Sequence, residues 1–107
     1  MNLNVALAKC YLKKLKHFRM SGVLIGADSI NILSYKDYTL CDINGYTSPI
    51  NMCFFSDCCV IRCSLHGYYQ FNYSHPGFIR DLDFFIVKLA SEHVKNWDIF
   101  IKRKVKV

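Results

Sequence analysis

Residues 50–73 read INMCFFSDCCVIRCSLHGYYQFNY, and this stretch decides the fold. It is rich in β-branched and aromatic side chains, contains no proline, and is broken only by the turn-forming pairs Ser56-Asp57 and His66-Gly67. Runs of this length and composition, joined by links of two residues, specify consecutive antiparallel strands at Ile50–Phe55, Cys58–Leu65 and Tyr68–Tyr73.

The same pattern extends upstream. Val23–Ile25, Ser29–Ser34 and Tyr38–Ile43 read as further strands, punctuated by Gly26-Ala27-Asp28, Lys36-Asp37 and Asn44-Gly45. Asn44-Gly45 is the strongest of these turn signals, because a two-residue hairpin loop needs positive φ at both positions. Before the strands, residues 2–18 place Leu3, Leu7, Cys10, Tyr11, Leu15 and Phe18 at steps of three and four, with Lys9, Lys13 and Lys16 on the other side. That spacing makes an amphipathic helix, with Gly22 expected just past its end. After His75-Pro76-Gly77 stops the sheet, Leu82, Phe85, Ile86, Leu89, Ala90, His93 and Trp97 return to helical spacing, giving a second helix over 79–96. Ile99, Ile101, Val105 and Val107 alternate with Phe100, Lys102, Lys104 and Lys106, which suggests a closing strand with a basic face. The expected class is therefore α+β: an antiparallel meander of five to seven strands, two helices on one face, in the order helix, strands, helix, strand.

A chain of 107 residues, half of them apolar, suits one compact domain over 1–107. The longest apolar candidate for a membrane span, Phe84-Phe85-Ile86-Val87, ends at Lys88, far short of the roughly 18 residues required. The first lysines alternate with Leu7, Tyr11 and Leu15 instead of preceding an apolar block, so the N-terminus does not read as a secretory signal. Six cysteines (Cys10, Cys41, Cys53, Cys58, Cys59, Cys63) include four within a short stretch, two of them adjacent. Free thiols used as small buried side chains fit this better than a disulfide scaffold, and they imply a reducing, cytoplasmic setting. The net charge of +6 is concentrated at the ends: Lys9, Lys13, Lys14, Lys16 and Arg19 in the first twenty residues, and Lys102, Arg103, Lys104 and Lys106 in the last nine.

The residues with chemical potential have few recognisable spacings. Cys53, Cys58, Cys59, Cys63, His66 and His75 are zinc-ligand types, but they form no Cys-x-x-Cys knuckle and alternate between strand faces, so no metal or other cofactor is expected. Asn51-Met52-Cys53-Phe54-Phe55 resembles the cysteine segment of ovarian-tumour-type deubiquitinases, without their Asp-Gly lead-in. That resemblance implies a small cysteine hydrolase with Cys53 as nucleophile, for which His93 is the natural base. Gly67-Tyr68-Tyr69-Gln70-Phe71-Asn72-Tyr73 resembles the aromatic strand of RNA-recognition motifs, departing from it at His66 and Tyr69. It implies single-stranded nucleic-acid binding, with bases stacked on the rings and the basic termini on phosphates. If Tyr69, Phe71 and Tyr73 face the helices, however, only Tyr68, Gln70 and Asn72 meet solvent.

No phosphate-binding loop, nucleophile elbow or zinc-protease helix occurs, so catalysis is the minority expectation. The leading expectation is a non-enzymatic protein-binding domain, a small cytosolic inhibitor of the immunity or counter-defence kind that blocks one acidic protein partner. Its contact residues are expected among Tyr38, Tyr46, Tyr68, Lys9, Lys13, Lys16, Lys102, Lys104 and Lys106. Nucleic acid is the alternative partner, a membrane is not expected because the apolar side of the first helix must cover the sheet, and a homo-oligomer is left open.

Overall fold

Short links force neighbouring strands to run antiparallel, and every strand pair in the computed structural model does so. Residues 3–40, 49–64 and 67–105 are described, 96–105 by their backbone alone. The elements are α1 (Leu3–Lys14) with a 3-10 turn over Leu15–Phe18, β1 (Met20–Leu24), β2 (Ser29–Tyr35), β3 (Tyr38–Thr39), β4 (Ile50–Phe54), β5 (Cys58–Cys63), β6 (Gly67–Asn72) and α2 (Phe78–Val105). The sheet runs β1-β2-β4-β5-β6, and β3 pairs with the end of β2. This is the α+β fold expected from the central segment.

Strand alternation sends Ile30, Ile32, Ile50, Met52, Phe54, Cys59, Ile61 and Cys63 to one face, where all are buried. Both helices cover that face. Tyr11 of α1 packs against Phe54 at 5.9 Å between ring centroids, and Leu82, Ile86, Leu89 and Ala90 of α2 join the same core. Phe85 reaches over β6, 4.5 Å from Tyr69 and 5.3 Å from Phe71. The helices are tied to each other at Asp83, whose carboxylate accepts a 2.8 Å hydrogen bond from the Tyr11 hydroxyl and pairs with Lys14.

Three expectations need correction. The closing strand over 99–107 does not form, because α2 continues to Val105 and the order ends on a helix. No proline or glycine follows Gly77, so nothing stops the helix, and lysines near its C-terminus favour the negative end of its dipole. Gly22 is not the cap of the first helix. Arg19 is, with φ 58° and its N–H directed to Leu15 and Lys16 carbonyls, while Gly22 lies inside β1. A Cβ at Gly22 would come within 3.0 Å of the Asn31 carbonyl and of Ile30, so its smallness serves strand packing. Finally, β1 starts at Met20 rather than Val23: Met20 keeps the parity of Gly22 and Leu24, and an extra residue in β2 at Leu33 brings Tyr35 inward opposite it. Cys41, the Asn44-Gly45 turn, Tyr46, His66 and Lys106 lie outside the described residues, as do the side chains of Trp97, Lys102 and Lys104. Among the described residues no helix is long and apolar enough to cross a membrane.

Candidate functional site

The second face of the sheet has no helix on it among the described residues. The alternation that buries Ile30, Ile50 and Ile61 necessarily turns their neighbours outward. Ser29, Asn31, Asn51, Cys53, Val60, Arg62, Tyr68, Gln70 and Asn72 therefore share this open face, with Ser21 and Ser34 towards β1. Hydrogen bonds cross the strands here. Asn51 Nδ2 donates to Asn31 Oδ1 at 2.7 Å, Cys53 Sγ donates to Asn51 Oδ1 at 3.0 Å, and Ser29 Oγ lies 3.3 Å from Cys53 Sγ. Towards β6, Gln70 Nε2 donates to Asn72 Oδ1 at 2.8 Å.

Tyr68 stands out from this mosaic of amides, hydroxyls and thiol. It is 69% exposed, yet its ring is held by Arg62, whose guanidinium carbon lies 5.2 Å from the ring centroid and whose Nη2 donates to the phenol oxygen at 3.1 Å. Register explains the pairing, because Arg62 and Tyr68 are direct cross-strand partners. A shallow depression of about 320 Å³ adjoins them, lined by Pro49, Asn51, Arg62, Cys63, Ser64, Gly67 and Tyr68. A large aromatic ring thus stands beside an open, hydrogen-bonding and nearly uncharged surface.

The other expected contact residues do not gather here. Lys9 and Lys13 of α1 and Lys16 of the 3-10 turn that follows it are exposed, on the opposite side of the sheet. Tyr38 is exposed in the short β3. The ring-bearing strand is also split: Tyr69 and Phe71 pack under Phe85, and Tyr73 lies 5.3 Å from Phe78, leaving Tyr68 as the exposed ring of β6.

Cys53 and His93 are separated by the sheet, Cys53 facing outward and His93 packed within the core side. The cysteine–histidine contact that does exist joins Cys63 Sγ to His93 Nε2 at 3.3 Å, and both residues are only 5% exposed. Sequence reasoning missed this pair, although the inward parity of Cys63 with Cys59 and Ile61 would have found it. Among the described residues, no group of three or more histidine, cysteine or acidic side chains is placed to hold a metal.

Two buried groups, Cys59 and Tyr11, carry a pH signature. Burial, assisted by nearby Cys53 and Cys58, pushes the Cys59 thiol from its ordinary 9.0 up to about 12, and burial followed by Asp83 raises the Tyr11 phenol. The unfolded chain releases these protons first, so stability holds below about pH 9 and declines as pH rises towards 12, by about 1.4 kcal/mol per unit for each group fully engaged. Urea unfolding should show a lower midpoint at about pH 10 than at about pH 8, with a weaker decline in Cys59→Ala. Equal midpoints would contradict a buried Cys59.

Fold and surface together define a helix-backed antiparallel sheet with one open polar face. No family model, curated protein or solved structure matches the chain.

Proposed function

We propose that this chain is a non-enzymatic protein-binding domain, an inhibitor that acts by occupying the surface of one macromolecular partner through its open sheet face. The observation that carries this reading is Tyr68, projecting into solvent while held by Arg62. A preordered aromatic ring loses little conformational freedom on binding and can enter a pocket on the partner. The neighbouring Asn31, Asn51, Gln70 and Asn72 supply donors and acceptors for a polar rim. The net charge of +6 favours an acidic protein, steering approach at long range without defining the contact. A reducing compartment such as the cytosol fits the free thiols at Cys10, Cys53, Cys58, Cys59 and Cys63.

Nucleic acid is less well suited. Arg62 is the one cation of the open face among the described residues, whereas a phosphate-binding surface needs several beside its stacking rings. The test is isolation of a stoichiometric complex with a protein from the native cell, followed by affinity measurement with Tyr68→Ala. That variant should weaken the complex by about thirtyfold, the scale of an interface anchor. Random single-stranded RNA and DNA should remain unbound at physiological salt. A shift of such strands that collapses steeply with salt would replace the protein partner with nucleic acid.

A further inference from the structure

We propose that two copies of this chain associate through β6, joining their sheets edge to edge around a twofold axis at Gln70. Beyond the protein-binding reading, this concerns the edge of the sheet instead of its face.

In the described structure β6 pairs on one side only, with β5. Which of its backbone groups face away can be worked out. Ser64 N–H donates to the Pro49 carbonyl and Tyr73 N–H to the Asp57 carbonyl. With Ile61 opposite Tyr69 and Cys59 opposite Phe71, this parity directs the polar groups of Tyr69 and Phe71 at β5. Those of Tyr68, Gln70 and Asn72 are therefore directed outward. The Asn72 carbonyl accepts from His75 N–H and has a second lone pair for another donor.

Exposed edges are usually protected by charges, proline, bulges or brevity. The β1 edge has its register shift at Ser21/Gly22. By contrast, β6 has six residues, Gly67-Tyr68-Tyr69-Gln70-Phe71-Asn72, with no charge, no proline and an unbroken register against β5. The strand is also self-complementary. Residues opposite each other in an antiparallel pair share a face, so the twofold axis must pass between the two copies of a single residue. With the axis at Gln70, the outward backbone groups of Tyr68, Gln70 and Asn72 meet those of Asn72, Gln70 and Tyr68 in the second copy. On the open face glutamine then opposes glutamine and Tyr68 opposes asparagine; on the helix face Tyr69 opposes phenylalanine. No like charges meet. A cleft of about 310 Å³ runs beside this edge, lined by Gln70, Phe71, Asn72, His75, Phe78 and Asp81, and the incoming strand would fill part of it.

Light scattering after size exclusion should show a mass twice 12.5 kDa at high concentration, falling to the single-chain mass on dilution. Gln70→Lys sets two ammonium groups across the axis and should raise the dissociation constant by about tenfold. Gln70→Pro removes an outward N–H without touching the β5 ladder and should also dissociate the dimer. Ser21→Lys, on the far edge, should leave the dimer intact. A single-chain mass at every concentration would overturn the pairing, as would a dimer unaffected by both Gln70 variants or one lost in Ser21→Lys. Should the Gln70 variants not fold, amide exchange in the wild type decides: the Tyr68, Gln70 and Asn72 amides should slow with rising concentration, and unchanged rates overturn the proposal.

Discussion

Ile61→Asp should leave the chain unfolded. Ile61 is fully buried at the middle of β5, between Met52 of β4 and Tyr69 of β6. Losing the isoleucine costs about 2–5 kcal/mol, and an unpaired carboxylate in the interior adds several more. Set against a total stability of about 5–15 kcal/mol for a small domain, the sum leaves little or nothing. Circular dichroism and one-dimensional proton NMR should show loss of sheet and of dispersed methyl signals. The same aspartate one residue along, at the exposed Arg62, should leave the fold intact, because a single step along a strand changes faces. A folded Ile61→Asp would place the core on the wrong side of the sheet.

Asp83→Ala should be the next most damaging change, lowering stability by about 3 kcal/mol. Asp83 is the tie between the helices: it accepts from the Tyr11 hydroxyl and pairs with Lys14. Tyr11 is 4% exposed, so its hydroxyl would be left in a place where water cannot readily replace the lost acceptor. Tyr11→Phe removes the donor as well and should cost only about 1 kcal/mol. Denaturant titration of the two single variants and the double variant measures the coupling directly, and additive effects would mean that this contact does not hold the helices together.

The sheet was legible because its strands carry period-two burial and its turns carry their usual residues. Ser56-Asp57 and Lys36-Asp37 fall where turns occur, and Ile50, Met52 and Phe54 alternate as a half-covered strand must. The end of the chain was not legible by the same means. Ile99, Ile101, Val105 and Val107 fit a period of two, but so short a segment offers weak periodicity, and what prevailed was the lack of any stop signal after Gly77. The β1 boundary was misplaced because Gly22 reads as a helix-ending residue, whereas Met20, Gly22 and Leu24 keep one parity along the strand. For the interaction surface, exposure of Tyr68 followed from its opposite parity to Tyr69 and Phe71. Its clamp by Arg62 did not, since cross-strand register is set by the whole sheet. The lysines of α1 were correctly expected on its solvent side, but only the layering of helix over sheet reveals that they face away from Tyr68.

Strand order also bears on how the chain reaches this state. β5 and β6 each pair with the preceding strand across a short loop, so this half of the sheet can assemble by successive local closures with little loss of chain entropy at each. Docking α1 against α2 is different, because Tyr11 and Asp83 are 72 residues apart in sequence. That contact closes about two thirds of the chain into one loop, and its entropy is recovered only once the intervening strands are in place. On this ground the central hairpins are expected to form before the seam between the two helices closes.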